Sequence, residues 1–398
     1  MKVERLDYYG RGVIHIDNKV CFVNNALVDE EIEIDIIKDS KTFIEANLKE
    51  IKNNPNKFRV KPICKYYDIC GGCQLMHISE EKQEEFKLNK IKEIIKYKCD
   101  INSNIKEINY DKFYNYRNKI VLHVKNNKLG LYKDKTNELV EIDECLIVNK
   151  KINELIRFLK DYIINKDIDN ITIRVGNITN EVLLSINGNV DYYNKLLEMV
   201  DVLIINSNII TDKKYIYSII GNKKFIVSLN SFFQVNEVIT KMLYDKIYEI
   251  IKKLNCKNVL DLYCGTGTIG IYISDLVNKV IGIEVVESAI KDANMNKEIN
   301  DINNIEFING KVEEKLDLIK SSIDTIIVDP PRSGLSKKVI NTIKSINPKN
   351  IIYISCNPLT LANNINDLKD KYNADIIGIY DMFPNTYHVE SICLLERR

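Results

Sequence analysis

Two β-branched apolar runs near the C-terminus, each followed by a short polar signature, constrain the fold of this chain most. Residues 325–328 lead into Asp329-Pro330-Pro331-Arg332, and residues 351–354 lead into Ser355-Cys356-Asn357-Pro358. Such runs are typical of buried parallel strands. Because ligands of open α/β sheets bind outside the carboxyl ends of the strands, we expect the Asp329 carboxylate and the Cys356 thiol to face one crevice.

A third segment close by in the sequence, His388-Val389-Glu390, supplies another carboxylate. A nucleophile, a positioning acid and a base are the groups that covalent catalysis requires. Cys356, Asp329 and Glu390 have the right chemistry for these three roles. The sequence therefore predicts an enzyme.

The length and charge of the chain set the context for these residues. A chain of 398 residues is expected to form two or three domains, and a net charge of +1 gives the whole protein no electrostatic preference for nucleic acid. The first residues lack the apolar core of a signal peptide, and no apolar run approaches the roughly 18 residues that span a membrane. We expect a cytoplasmic monomer without membrane contact. Disulfides are then not expected among its ten cysteines, and the clustered thiols suggest metal binding or catalysis.

The pattern of apolar residues changes twice along the chain. Residues 1–52 show short alternating runs with turn signals, which predict a small β-barrel of the OB type. Residues 53–225 mix strand-like and helical stretches and predict an α+β central domain. Residues 226–398 alternate strands with amphipathic helices, which predicts an α/β domain with a Rossmann-like parallel sheet.

A basic and aromatic stretch lies in the central region. Residues 80–97 have helical spacing, with Lys and Glu predicted on the faces away from the apolar side. Between Lys82 and Lys135 there are 14 Lys and Arg against 7 Asp and Glu, with Tyr and Phe interleaved. Basic groups for phosphates and rings for bases suit looped or single-stranded RNA. The segment Tyr116-Arg117-Asn118-Lys119 is predicted to touch substrate or shape its pocket.

A glycine-rich loop predicts a nucleotide-type cofactor. The run at 258–263 leads into Cys264-Gly265-Thr266-Gly267, and a second strand ends about twenty residues later at Glu284. Glycines allow the backbone to approach a ligand, and the carboxylate suits the hydroxyls of a ribose. This spacing alone leaves both a nicotinamide dinucleotide and S-adenosylmethionine open. The Asp-Pro-Pro strand end is typical of class I methyltransferases and favours S-adenosylmethionine.

Four cysteines are candidates for a metal centre. Cys64, Cys70 and Cys73 are spaced C-x5-C-x2-C, with glycines at 71 and 72, and Cys145 lies far downstream. Three close thiols and a remote one suit either a zinc ion or an iron–sulfur cluster, and the spacing leaves both open.

Taken in order, these motifs resemble the RNA (uracil-5-)-methyltransferase family, and within it the 23S ribosomal RNA branch with an N-terminal TRAM domain and a 4Fe-4S cluster. The matching features, in chain order, are the N-terminal barrel, the C-x5-C-x2-C run with Gln74-Leu75, Tyr116 to Lys119, Cys145, Ser231 to Asn236, the Asp261 to Gly270 loop, Glu284, Asp329 to Arg332, Ser355 to Pro358 and His388 to Glu390. The ordered set covers nearly the full length of the chain.

The resemblance implies roles for particular residues. The cluster ligands would be Cys64, Cys70, Cys73 and Cys145; the S-adenosylmethionine contacts would be Gln234, Tyr263, Glu284 and Asp329; Cys356 would be the nucleophile and Glu390 the base. The contact to the adenine stays open, because either Asn309 or the backbone beside it would take the role that an acidic or amide residue has in many methyltransferases.

The chemistry of uracil explains why these residues are needed. Carbon 5 is a poor nucleophile until a thiolate adds at carbon 6 and converts the ring to an enolate. A thiolate suits this step because it is both nucleophilic and a good leaving group. A base with a raised pKa is then needed to remove the proton from carbon 5, so that the cysteine is expelled.

Three alternatives to methylation of 23S ribosomal RNA remain at this stage. The same catalytic residues would serve a methyltransferase acting on the T-loop uridine of transfer RNA. A non-catalytic RNA-binding or assembly factor would have no need of an intact Cys356, Glu390 and Asp329. An iron–sulfur electron carrier would need a redox partner motif, which the sequence does not show.

Overall fold

The N-terminal part of the chain forms a five-stranded sheet. The computed structural model describes residues 1–164, 166–190, 192–319 and 322–398. The strands are β1 (Arg5–Leu6), β2 (Gly12–Ile16), β3 (Lys19–Asn24), β4 (Ile32–Asp39) and β5 (Phe43–Ile51). Their order is β1-β2-β3-β5-β4, antiparallel except for β3 and β5. The predicted short strands are therefore confirmed, whereas a closed barrel of the TRAM type stays a prediction.

The central part contains a long helix and a second, larger sheet. Its elements are α1 (Glu80–Cys99), β6 (Lys119–Lys125), β7 (Lys128–Tyr132), β8 (Leu139–Glu141), α2 (Lys150–Tyr162), β9 (Ile168–Val175), β10 (Val182–Gly188), α3 (Asn194–Leu197), β11 (Val202–Ile205) and β12 (Asn208–Ile209). The strand order is β12-β11-β10-β9-β6-β7-β8. Apolar side chains of α2, such as Ile152 and Ile156, pack against this sheet in one buried cluster.

The C-terminal part has the alternating pattern that the sequence predicts. A hairpin, β13 (Ile216–Ile220) and β14 (Lys223–Val227), precedes it. The following elements are α4 (Glu237–Leu254), β15 (Asn258–Leu262), α5 (Thr268–Tyr272), β16 (Lys279–Glu284), α6 (Glu287–Ile299), β17 (Ile305–Asn309), α7 (Val312–Lys315), β18 (Thr325–Val328), α8 (Lys337–Ile346), β19 (Asn350–Ser355), α9 (Pro358–Leu368), β20 (Tyr372–Tyr380) and β21 (Glu390–Arg397).

The topology of this third sheet creates the crevice. The strand order is β17-β16-β15-β18-β19-β21-β20, and all pairs from β17 to β19 are parallel. The order reverses between β15 and β18, since the chain first builds outward to β17 and then returns to the other side of β15. Such a switch point opens a crevice at the carboxyl ends of the strands. The last strand, β21, runs antiparallel to β19.

Helix α1 departs from the sequence prediction in what it buries. Ile91 and Ile95 pack in the core of the C-terminal sheet, as their spacing suggests. Lys87 and Lys90, however, are also buried, so the prediction that the lysines of this helix lie on its solvated faces is wrong for these two. Lys87 forms an ion pair of 2.6 Å with Asp381, and neither side chain is exposed. Removal of one partner from such a pair costs about 3–5 kcal/mol, because the other charge is left buried alone.

The predicted domain limits at 52 and 225 stay predictions. The packing of α1 against the C-terminal sheet, and of Ile216 and Phe225 against the same part, joins residues on both sides of the second limit. Within the described ranges, no helix is long and apolar enough to cross a membrane.

Candidate active site

The register of the third sheet brings five of the predicted site residues to one edge. Glu284 ends β16; Tyr263 follows β15, where Leu262 pairs with Ile283; and Asp329 follows β18, where Val328 pairs with Leu262. On β19 and β21, Ser355 pairs with Ser391, so Cys356 and Glu390 are the next residues across that pair. Neighbouring strands present the residues in the order Glu284, Tyr263, Asp329, Cys356, Glu390.

The edge opens into one large cleft of about 1710 Å³. All five residues line it, and so does Gln234, the sixth predicted site residue of the C-terminal part. The cleft extends past the third sheet to Tyr9 and Arg11 in the loop between β1 and β2, and to Cys70 and Cys73 of the cysteine run. The predicted catalytic and cofactor residues therefore share one cavity with parts of the N-terminal and central regions.

The Ser-Cys-Asn-Pro signature has a clear local structure. Asn357 is the residue that caps α9, with its side chain accepting a hydrogen bond from the Leu359 N–H at 3.1 Å, and Pro358 occupies the first turn. The Asn357 amide also donates to the Arg332 carbonyl at 3.0 Å. The Asp-Pro-Pro-Arg and Ser-Cys-Asn-Pro segments are thus bonded to each other, and Cys356 is held between the end of a strand and the start of a helix.

The electrostatics of the nucleophile and base are set by burial and by their mutual proximity. Burial raises the pKa of Cys356 to about 11, and the nearby carboxyl groups of Glu390 and Asp329 add to this effect, while Arg332 opposes it. Glu390 is buried, which raises its pKa well above the usual range, again with a contribution from Asp329. Burial also raises the pKa of Asp329 to about 7. In the free protein Cys356 is therefore mostly a thiol near neutral pH.

The glycine-rich loop is shaped for a ligand rather than for packing alone. Gly265 has φ +54°, and a Cβ built on it would meet nothing within 4 Å, so its backbone borders open space. Its N–H donates to the Glu284 carboxylate at 3.1 Å, and the Val286 N–H donates to the other oxygen at 2.9 Å. The Thr266 hydroxyl is buried without a hydrogen-bond partner among the described residues. An open backbone, an oriented carboxylate and an unsatisfied hydroxyl fit a polar nucleoside cofactor.

The segment Tyr116 to Lys119 forms hydrogen bonds to backbone groups beside the cleft. The N–H of Asn118 donates to the Val235 carbonyl at 2.9 Å, and its amide donates to the Gln234 carbonyl at 3.2 Å. Tyr116 is buried and donates to the Pro384 carbonyl at 3.0 Å. These bonds hold the backbone of residues 234–235, and the role predicted for this segment, contact with substrate or shaping of its pocket, stays a prediction.

The four predicted cluster cysteines approach one another without forming a single-ion site. Cys73 has a raised pKa, caused first by burial and then by the neighbouring thiols of Cys145, Cys70 and Cys64. The Gly72 N–H donates a hydrogen bond to the Cys70 sulfur at 3.4 Å, and the Ile147 N–H donates one to the Cys145 sulfur. In the described part of the chain, no three His, Cys, Asp or Glu side chains are arranged to hold a metal ion.

Comparison with known proteins gives the family. A model of the tRNA (uracil-5-)-methyltransferase family matches residues 194–398, just over half of the chain. An uncharacterised RNA methyltransferase of Clostridium acetobutylicum is 35% identical over 98% of this chain and 94% of its own length, and one of Staphylococcus aureus is 33% identical over 98% and 96%. This chain belongs to the RNA (uracil-5-)-methyltransferase family.

The fold has a counterpart among solved structures. The tRNA (uracil-54, C5)-methyltransferase of Pyrococcus abyssi, solved with S-adenosyl-L-homocysteine, is 27% identical and superimposes with a TM-score of 0.84. The match covers 99% of this chain and 98% of that one. The α/β fold expected from the sequence is thus confirmed, and the protein is an RNA methyltransferase that uses S-adenosylmethionine.

Sequence reasoning named Arg332 and His388 within their motifs but missed the contacts that they and other groups make around the cleft of this methyltransferase. Arg332 contacts the His388 ring at 2.6 Å, and burial followed by the Arg332 charge lowers the pKa of His388 to about 3. Lys90 lies 3.8 Å from the centre of the Tyr8 ring and donates to the Tyr387 carbonyl at 2.6 Å. These contacts join residues far apart in sequence, and no local pattern marks them.

The raised pKa of Cys356 predicts how the free methyltransferase reacts with iodoacetamide. Because only the thiolate is alkylated, the rate at Cys356 should rise about tenfold per pH unit from pH 7 towards pH 10. Substitution Arg332→Gln removes the charge that lowers this pKa, and should slow alkylation at pH 8, whereas Arg398→Gln should not. Peptide-resolved mass spectrometry measures the rate at this cysteine, and a plateau by pH 8 would contradict the assignment.

Proposed function

We propose that this protein methylates carbon 5 of a specific uridine in 23S ribosomal RNA, with Cys356 as nucleophile and Glu390 as base. The observation that carries the proposal is the adjacency of these two residues across the β19–β21 pair, beside Asp329 and inside the cleft. One edge of the sheet then offers a thiol to add to the ring and a carboxyl group to remove a proton.

The two residues act at different stages of the reaction. The Cys356 thiolate adds to carbon 6 of the uracil, which makes carbon 5 electron-rich enough to be methylated. S-adenosylmethionine, when bound, supplies an electrophilic methyl group. The Glu390 carboxylate then removes the proton from carbon 5, the carbon 5–carbon 6 double bond reforms, and the sulfur leaves as a thiolate. A buried carboxylate with a raised pKa is a stronger base than an exposed one, which suits the last step.

The cofactor contacts follow from the same edge of the sheet. Glu284 would bind the ribose hydroxyls, since its carboxylate is already oriented by two backbone N–H groups. Tyr263 and Gln234 line the same part of the cleft, and Asp329 stands between the cofactor side and Cys356. In this arrangement Asp329 reaches both the cofactor and the uracil.

The target RNA is the part of the proposal that most needs a test. The ordered set of motifs, with the cysteine run, resembles the ribosomal branch. In either RNA, the target uridine must be unpaired or flipped out of its stack to enter the cleft. Methylation of the transfer RNA T-loop is the second candidate, because the Pyrococcus abyssi enzyme acts on uracil 54 of transfer RNA and matches this chain along its full length. The N-terminal sheet alone therefore does not separate the two substrates.

Nucleoside analysis of separated RNA classes decides between these substrates. In cells that lack the gene, we expect 5-methyluridine to disappear from 23S ribosomal RNA and to remain in transfer RNA. A plasmid copy with Cys356→Ala should fail to restore it, because the ring is no longer activated, whereas a copy with Cys99→Ala, which changes a half-buried thiol outside the cleft, should succeed. Loss confined to transfer RNA would overturn the ribosomal assignment.

We propose further that Cys64, Cys70, Cys73 and Cys145 hold a 4Fe-4S cluster. A single zinc ion would draw its sulfur ligands to within about 4 Å of one another, whereas a cluster places each thiolate on a different iron. What supports the cluster is the resemblance of the C-x5-C-x2-C run and Cys145 to the ribosomal branch, together with the effect of Cys145, Cys70 and Cys64 on the pKa of Cys73. The N–H groups that point at Cys70 and Cys145 would stabilise the thiolates, as hydrogen bonds to cluster sulfurs do.

Metal analysis of anaerobically purified protein tests the cluster. The protein should be brown and contain iron and inorganic sulfide in about equal amounts. Cys73→Ser should lose most of the iron because a ligand is removed, while Cys99→Ser should retain it. Colourless protein that contains zinc would refute the cluster.

A further inference from the structure

The connection between β20 and β21 carries Glu390 at its end and is held from two sides. Residues 381–389 form this connection, and Tyr380 pairs with Glu390 where the two strands meet. Among the described residues, no hydrogen bond to the Glu390 carboxylate is found, and its position therefore depends on the backbone of the 381–389 loop. What fixes this loop also fixes the carboxylate.

One face of α1 binds the loop along its length. Gln83, Lys87 and Lys90 lie at spacing i, i+4 and i+7, which places all three on the same side of the helix. All three are buried. Lys87 binds the Asp381 carboxylate at 2.6 Å and the carbonyl of residue 383 at 3.1 Å, and Lys90 donates to the carbonyl of residue 387 at 2.6 Å.

Gln83 binds the middle of the loop through both the oxygen and the nitrogen of its side-chain amide. Its oxygen accepts a hydrogen bond from the Asn385 N–H at 3.0 Å, and its nitrogen donates to the Asn385 side-chain oxygen at 3.3 Å. The same nitrogen donates to the carbonyl of Ile78 at 2.9 Å, just before α1 begins. Gln83 thus ties the start of the helix to one residue of the loop.

Asn385 links the loop to several segments of the central region. It is 1% exposed and has φ +67°, a left-handed conformation that Asn tolerates better than most residues. Its carbonyl accepts from the N–H groups of Gln74 and Leu75, each at 3.0 Å, directly after Cys73. Its side-chain amide donates to the Phe113 carbonyl at 2.8 Å. The polar groups of Asn385 are therefore bonded to three segments of the central region, two of them to Gln83 and the others to residues 74–75 and to Phe113.

We propose that Gln83 and Asn385 are positioning residues, which hold the 381–389 loop so that the Glu390 carboxylate stands opposite Cys356 when the proton is removed. This inference rests on the proposed function, in which Glu390 takes the proton from carbon 5. In that step the carbon 5–hydrogen electron pair forms the ring double bond, the carbon 6–sulfur bond breaks, and the sulfur departs with its electron pair. The step fails when the carboxylate is displaced, whereas addition of Cys356 to carbon 6 requires no transfer of the carbon 5 proton to it.

The experiment separates these two steps in purified full-length protein. Total RNA from cells that lack the gene is incubated with methyl-tritiated S-adenosylmethionine, and tritium bound to denatured protein measures the methylated covalent adduct. In Gln83→Ala and in Asn385→Gly, we expect the adduct to accumulate and product release to slow by about 100-fold, the effect of a displacement of about 1 Å in a catalytic group. The KM for RNA should not change.

Two measurements exclude a general loss of structure. RNA from cells grown with 5-fluorouracil forms an adduct that needs no proton removal, and both variants should form it at the wild-type rate. Asn89→Ala removes an exposed amide from the same helix and should behave as wild type in every assay. Should Gln83→Ala fail to fold, Asn385→Gly decides the question, since it keeps the left-handed backbone and the bonds of the Asn385 main chain.

The outcomes distinguish the positioning role from the role of Glu390. Release at the wild-type rate in the variants, or a parallel loss of the 5-fluorouracil adduct, would overturn the positioning role. Glu390→Gln serves as the reference and should stall at the same adduct. If Glu390→Gln releases product at full speed, the assignment of the base itself fails, and the positioning proposal fails with it.

Discussion

The antiparallel pairing of β21 with β19 is the constraint on which the site depends. All other strands next to the crevice run parallel, and parallel strands alone would present only their carboxyl ends there. An antiparallel neighbour brings the amino end of β21, and hence Glu390, beside the carboxyl end of β19, and hence Cys356. A slip of one residue would turn every side chain of β21 to the other face of the sheet. Apolar residues of β21 such as Ile392 and Leu395 are fully buried, which makes such a slip costly.

The same adjacency explains the electrostatics of the site. Asp329, Cys356 and Glu390 lie close together, so that the Asp329 charge raises the pKa of both Cys356 and Glu390, and the Glu390 charge raises that of Cys356. Arg332 is the cation that opposes this effect on both Cys356 and Glu390. The nucleophile and the base are therefore linked electrostatically, because ionisation of one changes the pKa of the other. Addition of the Cys356 thiolate to the ring moves its negative charge onto the enolate. Methylation of carbon 5 then neutralises that charge, which eases ionisation of the remaining carboxyl groups.

Much of the site could be predicted from the sequence because its residues follow local patterns. Asp329 and Cys356 each end a β-branched run, Glu284 ends the second strand after a glycine-rich loop, and the strands were expected to lie side by side. Such positions are set by strand periodicity and turn chemistry, which short stretches of sequence encode. The structure shows the two strands that end at Asp329 and Cys356 as parallel neighbours, as the sequence predicts.

The parts that could not be predicted depend on contacts between distant segments. The Gln83–Asn385 bonds join residues 302 positions apart. The lysines of α1 had the spacing of an ordinary amphipathic helix, and nothing local shows that the residues facing Lys87 include a buried aspartate. Likewise, Tyr8 and Tyr9 of the β1–β2 loop reach Tyr387 near Glu390 only in the folded chain, with the Tyr9 and Tyr387 ring centres 5.0 Å apart.

The proposed mechanism requires that Cys356 forms a covalent bond to the target uracil. The most direct measurement is peptide mapping of the complex formed with 5-fluorouracil-containing RNA in the presence of S-adenosylmethionine, because the fluorine cannot leave as a proton and the bond to sulfur persists. The account predicts a methylated fluorouridine attached to the peptide that contains Cys356. Attachment to another cysteine, or no attachment from an actively methylating preparation, would contradict it.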